Sequence, residues 1–453
     1  MTDQTENIHK GFGFLFEMGC GKTLTAIMTM GALYQAGKVK KVLVCAPTSV
    51  CSVWPSDLES FADFKYLVKV LLGTKQQRIK ALNELAGFPF RGLKIAVINY
   101  ESTWRDDIKE AIEEWFPDMV ICDESQRIKT HDAAQAKELH RLGDMAKYKL
   151  ILSGTPVQNN AVDIWSQYRF MDRSVFGNNF YAFRNRYCMM GGFNNKQIVG
   201  YRNMDELIKK EYSVAYRVTK EEALDLPETV FKLLFLEFNP EEKKLYDQLK
   251  KDGFAELENG GQITATTVLT KLLRLQQLTG GFLVADEDDK PELVSEAKIN
   301  ALEDIVDDYV IGEGKKLVIF ARFRAELDII EKLIKKKKIQ YGMIYGDILQ
   351  NERGDIVKDF QENPETLIII CQIQCAGLGI TLTAASTCVY YSVDFNYANY
   401  AQSLARIHRI GQKNKCTYIH LTVKGTVDEK VLKALAAKED LAKTIVDRWR
   451  EFF

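Results

Sequence analysis

Three short groups of residues carry the chemistry that this chain could do. The first is Glu17-Met18-Gly19-Cys20-Gly21-Lys22-Thr23, set between an apolar run, Phe12 to Phe16, and the Pro-free stretch Leu24 to Tyr34. Strand, glycine turn and helix in that order aim backbone N–H groups and the positive end of a helix dipole at one point, where a phosphate can sit. Lys22 could then reach the β- and γ-phosphates of a nucleotide, and the Thr23 hydroxyl could hold Mg²⁺. The strict pattern has glycine five residues before Gly21, and this chain has Phe16. An ordinary Gly-rich turn is therefore the competing reading. The second group is Val120-Ile121-Cys122-Asp123-Glu124-Ser125-Gln126. Adjacent carboxylates at the end of an apolar strand need a positive partner. Mg²⁺ on Asp123, with Glu124 orienting a water, would supply one. An exposed acidic pair at a strand end is the alternative. The third is Arg406 and Arg409, three apart on a predicted helix. That spacing puts both guanidiniums on one face, where they could neutralise charge on a γ-phosphate or belong to an ordinary surface helix.

The elements around these groups alternate. Apolar strands are expected at Lys41 to Ala46, Tyr66 to Leu72, Lys94 to Ile98, Met119 to Cys122 and Lys149 to Leu152, with helices at Thr74 to Ala86, Asp107 to Trp115 and Ala133 to Leu142. Such alternation predicts βαβ units and a parallel sheet covered on both faces, with ligands beyond the carboxyl ends of the strands. From Gln158 to Tyr216 the chain turns aromatic, and a helical insertion packing its own rings is favoured over a nucleic-acid stacking platform. Arg217 to Pro227 reads as a hinge. Strand Thr229 to Phe238 and helices over Glu241 to Leu278 follow, with the acidic Asp286 to Asp289 as a surface turn. A second alternating region then has strands at Lys316 to Phe320, Gln340 to Tyr345, Thr366 to Cys371, Thr387 to Tyr391 and Cys416 to Leu421, without a second phosphate loop. Two domains are expected, 1-225 with an insertion about 158-216, and 226-453 with an insertion about 240-292.

At 453 residues, 46% hydrophobic and 27% charged, the chain has ample material for a core. No apolar run reaches the roughly 20 residues that span a bilayer. Met1 to Lys10 lacks a signal-peptide core, so a cytoplasmic protein is expected, or a nuclear one in a eukaryote. The nine cysteines stand singly, with no CxxC pair for zinc and no disulfide framework. A net charge of −1 leaves a nucleic-acid partner open, since only the contact surface need be basic. Lys209-Lys210, Lys243-Lys244 and Lys335 to Lys338 are read as solvated helix faces rather than contact sites.

The motifs EMGCGKT (17–23), APTSV (46–50) followed by Trp54, DESQ (123–126), LSGTPVQNN (152–160), CAGLGITLTAA (375–385) and QSLARIHRIGQ (402–412) occur in this order. In this the chain resembles the Swi/Snf-type (sucrose non-fermenting) DNA translocases of helicase superfamily 2, and is similar in size to compact bacterial or phage members. The resemblance covers about Gly11 to Leu432. It implies an α/β fold of two RecA-like lobes in tandem, ATP with Mg²⁺ in a cleft between them, and double-stranded DNA gripped through its backbone without sequence preference. It implies nucleotide contacts from Met18, Gly19, Cys20, Gly21, Lys22, Thr23 and Gly379, and metal contacts from Thr23 and Asp123. Lys22, Asp123, Glu124, Gln126, Arg406 and Arg409 are the implied catalytic set. Thr48, Ser49, Asn99, Tyr100, Gly346, Gly377 and Gly379 fall in segments that the resemblance implies face DNA or the other lobe.

This sequence departs from the family pattern in several places. Ser125-Gln126 replaces the usual small residue and histidine, Ala405 an aspartate, and Gln374 a basic residue. Only about ten residues precede Gly11, and Gln4 is a poor substitute for the family's upstream adenine-reading glutamine. Either adenine is held loosely or the chain lacks its natural beginning. The expected activity is a monomeric, DNA-dependent ATPase that moves along the duplex. A strand-separating helicase and a DNA-binding regulatory protein with little turnover are the alternatives.

Overall fold

The strands form where apolar runs of four to eight residues are bounded by polar turns, and the helices where apolar residues recur on one face between capping residues. The computed structural model describes residues 11–192, 194, 197–258, 265–284 and 290–446. Its backbone divides into two units at Leu224/Asp225, and residues 438–446 go with the first.

In the first unit the strands are β1 (Gly11–Phe16), β2 (Lys41–Ala46), β3 (Tyr66–Leu71), β4 (Leu93–Asn99), β5 (Met119–Asp123), β6 (Tyr148–Leu152), β7 (Cys188–Gly191), β8 (Gln197–Tyr201) and β9 (Ala215–Val218). Seven of them make one sheet in the order β3-β4-β2-β5-β6-β1-β9, with every pair parallel. Ala26, Ile27 and Met30 of the helix Lys22–Gln35, with Trp54 and Leu58 of Val53–Phe61, bury one face against Val42, Val44, Val97 and Ile121. Every residue of β5 is buried, as a strand covered on both faces requires. Its last residue is therefore a carboxylate delivered to the sheet edge from a fully apolar strand.

The second unit holds β10 (Thr229–Leu236), β11 (Phe282–Val284), β12 (Pro291–Leu293), β13 (Leu317–Ala321), β14 (Gln340–Ile344), β15 (Thr366–Gln372), β16 (Thr387–Tyr390) and β17 (Cys416–Val423). Six form a parallel sheet in the order β10-β17-β16-β13-β15-β14, while β11 and β12 pair antiparallel. The helices Pro240–Glu258 and Ala265–Thr279 precede that pair. The acidic stretch 286–289, Gly260-Gly261 and Gln4 lie outside the described residues.

The structure corrects three local expectations. The 158–216 region is not helical throughout, because β7 and β8 make an antiparallel hairpin within it. Its aromatics do pack on one another: Tyr168, Phe183 and Tyr187 are buried, and Phe176 meets all three edge-on. Arg217 is not a hinge residue but part of β9, buried beside β1. The helix carrying QSLARIHRIGQ ends at Leu404, so Arg406 and Arg409 lie in the turn that follows.

The lysine clusters behave as solvated helix faces. Lys210 pairs with Glu206, Lys243 with Asp247, Lys335 with Glu331, and Lys337 with Glu303 and Asp307. All nine cysteines are free thiols, and all but Cys20 are buried. Among the described residues no His/Cys/Asp/Glu group of three or more could hold a metal, and no helix is long and apolar enough to cross a membrane.

Candidate nucleotide site

Between β1 and the helix Lys22–Gln35 only Gly19 and Gly21 take positive φ, at 88° and 86°. L side chains are strained there, so the two glycines kept from the phosphate-loop pattern are the two that the backbone requires. Phe16, where the strict pattern has glycine, is the last residue of an extended strand, and its ring meets Tyr216 edge-on at 6.4 Å. The missing glycine is thus not needed. The loop closes through Cys20 N–H to the Glu17 carbonyl at 3.1 Å and Thr25 N–H to the Gly21 carbonyl at 2.9 Å. Lys22 Nζ donates to the Phe16 carbonyl at 3.1 Å and the Glu17 carbonyl at 3.5 Å. Gly154, after β6, lies against this loop: a Cβ there would come within 3.3 Å of Met18 Cγ and 3.4 Å of Lys22 Nζ. Cys20 is half-buried, and burial with the nearby Glu17 carboxylate raises its thiol pKa. The Thr23 hydroxyl makes no hydrogen bond among the described residues.

β5 lies one strand from β1 across β6 in the parallel sheet, so its C-terminal residue reaches the same edge. Asp123 Oδ2 accepts from Trp54 Nε1 at 3.0 Å, and the Asp123 carbonyl accepts from the Tyr100 hydroxyl at 2.8 Å. Burial, then the neighbouring Glu124, pushes the Asp123 carboxyl up to about 7, with Lys22 and the Trp54 hydrogen bond acting against them. Glu124 stands at φ 53°, a left-handed conformation that non-glycine residues rarely adopt and that turns its side chain out of the strand direction. Glu124 Oε2 accepts from Gln126 Nε2 at 2.6 Å, Gln126 Oε1 accepts from Ser153 Oγ at 2.7 Å, and Ser153 Oγ accepts from Thr155 N–H at 3.1 Å. A chain of three hydrogen bonds therefore runs from the carboxylate after β5 to the Ser-Gly-Thr loop after β6. A divalent cation fits this set, because buried Asp123 lies beside a second carboxylate and the Thr23 hydroxyl is uncommitted.

The raised Asp123 pKa has a consequence for stability. The folded protein without nucleotide keeps a proton that the unfolded chain loses near pH 4. This contribution is full below pH 4 and is lost as pH rises to about 7. Asp123→Asn removes the buried charge and still accepts from Trp54. Its thermal midpoint relative to wild type should rise between pH 5 and pH 8, and calorimetry at the two values checks this.

One supporting residue escaped the sequence reading. Arg217 donates to the Leu15 carbonyl at 2.9 Å and pairs with Glu17 Oε1 at 3.0 Å, while Glu17 Oε2 accepts from Lys220 N–H at 2.9 Å. The first residue of the phosphate loop is thus tied to the segment that closes the unit. The partners are some 200 positions apart, and no local pattern signals the pair.

In the second unit, Arg406 and Arg409 converge although no helix carries them. Arg406 Nη1 donates to the Ile380 carbonyl at 3.2 Å and Arg409 Nη1 to the same oxygen at 3.4 Å. Gly411, at φ 99°, and the Gln412 amide, donating to the carbonyls of Thr383, Ala385 and Ile407, hold the turn. Gly377 lies in the 3₁₀ turn Ile373–Leu378, which Gly379 ends at φ 74° just before Ile380. Burial lowers the pKa of Arg409, which has no ion-pair partner among the described residues.

The remaining residues expected to face DNA divide. Thr48 is exposed and Ser49 half-buried at the end of β2, and Gly346 is exposed after β14, its N–H donating to Gln372 Oε1 at 3.3 Å. Tyr100 is fully buried with its hydroxyl on the Asp123 main-chain carbonyl, so its side chain fixes the end of β5 and has no face open to a ligand. Asn99 is buried too, its side chain held by Arg78, Ser102 and Glu101.

Comparison with known proteins identifies the family to which the two units belong. A model of the SNF2-related domain matches residues 1–280, and one of the helicase conserved C-terminal domain matches residues 297–411. An uncharacterized ATP-dependent helicase of Mycoplasma genitalium is 28% identical over 95% of this chain and 40% of its own length. A RAD54-like DNA repair and recombination protein of Drosophila yakuba is 25% identical over 95% of this chain and 59% of its own. The Sulfolobus solfataricus SWI2/SNF2 ATPase core in complex with double-stranded DNA is 25% identical, covering 96% of this chain and 88% of that one at a TM-score of 0.42. The chain spans about 40% of the length of the first two curated relatives it matches. With the SNF2-related domain matched over more than half its length and the helicase C-terminal domain following, this chain belongs to the SNF2-related family of ATP-dependent helicases.

Proposed function

We propose that the chain is an ATP-driven motor that moves along double-stranded DNA, its two lobes being residues 1-225 and 226-453. The observation that carries this reading is the meeting of Lys22, Asp123 and Glu124 on one sheet edge, with Glu124 linked through Gln126 to Ser153. Lys22 and the amides of the Gly19–Gly21 turn bind the phosphates. Glu124, held by Gln126, orients the attacking water. Thr23 and Asp123 would hold Mg²⁺, which neutralises charge on the phosphate oxygens when bound. The Gln126–Ser153 link passes the state of the catalytic carboxylate to the next loop of the sheet. Arg406 and Arg409, gathered at the Ile380 carbonyl, neutralise charge on the γ-phosphate during turnover. Exposed Thr48 and Gly346, half-buried Ser49 and the backbone around Gly377 grip the DNA backbone, which fixes position without reading sequence.

A strand-separating helicase is the second reading, favoured by the β7–β8 hairpin with its exposed Met189 and Val199. Two assays decide between them. Duplex DNA should stimulate ATP hydrolysis and the protein should displace a triplex-forming strand, with little unwinding of a forked duplex. Efficient unwinding, or stimulation by single strands alone, makes the hairpin a wedge and the protein a helicase.

A further inference from the structure

We propose that Arg78 and Arg105 form a phosphate grip on the first unit, with Trp104 packing beside it, that holds the backbone of duplex DNA outside the motifs named above. The proposal rests on the translocase reading and adds residues to its DNA surface.

The helix Lys75–Gly87 is fixed at its start by Gly73, at φ 91°, and by a capping box between Thr74 and Gln77. That register lays Arg78 over the end of β4, where its Nη1 donates to Asn99 Oδ1 at 3.1 Å. Asn99 is in turn fixed by Ser102 Oγ at 2.8 Å and Glu101 Oε2 at 3.0 Å, so the guanidinium is oriented by a buried, fully engaged amide. Its Nε is buried without a partner. Trp104 and Arg105 occupy the turn between Tyr100–Thr103 and the helix Asp106–Trp115. A Lys75–Asp107 ion pair at 2.5 Å ties that helix to the one carrying Arg78.

Two features point to an anion from outside the chain. Burial, then the nearby Arg105, lowers the pKa of Arg78, with Cys51 and Glu101 acting against them, and neither arginine has an ion-pair partner among the described residues, whereas each surface lysine cluster has at least one lysine paired within the protein. Trp104 is 43% exposed beside them, a large ring with no place in the core. The position is also suited to DNA. Asn99 pairs with Ala46 in the β2–β4 register, which brings the site alongside the exposed Thr48 at the same sheet edge. Two guanidiniums and one ring match a phosphodiester and its adjoining sugar, which carry negative charge and an apolar face at fixed spacing.

The test is the salt dependence of duplex binding by full-length protein, compared for wild type, Arg78→Gln, Arg105→Gln and the double variant. Each phosphate contact contributes about 0.9 to the slope of log K against log salt, so each single change should reduce the slope by about 1 and the pair by about 2. Arg105 is exposed, so its variant reads the site without risk to the fold. Added duplex should also change tryptophan emission in wild type and not in Trp104→Phe. Unchanged slopes in variants that still bind DNA overturn the grip and leave the translocase reading standing. A wild-type protein that fails to bind duplex at 50 mM salt overturns the reading beneath it. Arginine-dependent binding of poly-glutamate without such dependence for duplex makes the partner an acidic protein, and the grip falls.

Discussion

Glu124→Gln should bind ATP as wild type does and hydrolyse it orders of magnitude more slowly, whereas Lys22→Ala should lose binding and turnover together. The difference follows from where the two side chains sit. In the proposed roles Lys22, its ammonium on the carbonyls of Phe16 and Glu17, would contact phosphate as soon as nucleotide binds. Removing it takes away binding common to ground state and transition state. Glu124 is turned away from β5 by its left-handed backbone and is held by Gln126. The glutamine variant keeps the shape and can still bond to the Gln126 amide, and loses only the charge that orients the attacking water. Equilibrium binding of a labelled nucleotide beside steady-state turnover separates the two. Equal loss of binding in both variants would falsify the roles assigned. Ser153→Ala leaves both groups in place and cuts the link from Gln126, so its effect should lie in DNA stimulation and not in nucleotide affinity.

Most of the parallel architecture was legible because strands buried on both faces must be apolar throughout. Lys41 to Ala46 and Met119 to Cys122 read as strands at nearly their observed limits for that reason. The nucleotide loop was legible because its two left-handed positions demand glycine. The remainder depended on partners far along the chain. β9 is four residues, Ala215–Val218, and includes an arginine, which argues against a buried strand until Glu17 and the Leu15 carbonyl are seen to receive it. Tyr100 looks like a polar loop residue, but its hydroxyl has a buried acceptor on β5. Helical spacing placed Arg406 and Arg409 together for the wrong reason. The helix stops at Leu404, and both guanidiniums are gathered instead by the carbonyl of Ile380.

That geometry sets the size of the second large effect. Replacing Arg406 or Arg409 with alanine should leave nucleotide and DNA binding near wild type and cut DNA-stimulated hydrolysis by about 10³-fold, which is about 4 kcal/mol of transition-state stabilisation. Arg409 is the cleaner probe, because burial disfavours its charge and no ion-pair partner among the described residues offsets this. A guanidinium kept in that condition gains most when an anion arrives in a site from which water is excluded. Arg406 is more deeply held, with Nε on the Gln402 carbonyl and Nη1 on Ile380, so its alanine variant also loses packing. Arg406→Lys therefore serves beside it: the charge stays, while the planar fork that can reach Ile380 and a phosphate oxygen together is lost. Turnover should fall in the lysine variant too, with the thermal midpoint close to wild type. If Arg409→Ala hydrolyses ATP at the wild-type rate on saturating duplex DNA, then Arg409 does not act on the γ-phosphate, and the meeting of the two arginines at Ile380 serves only to shape the turn.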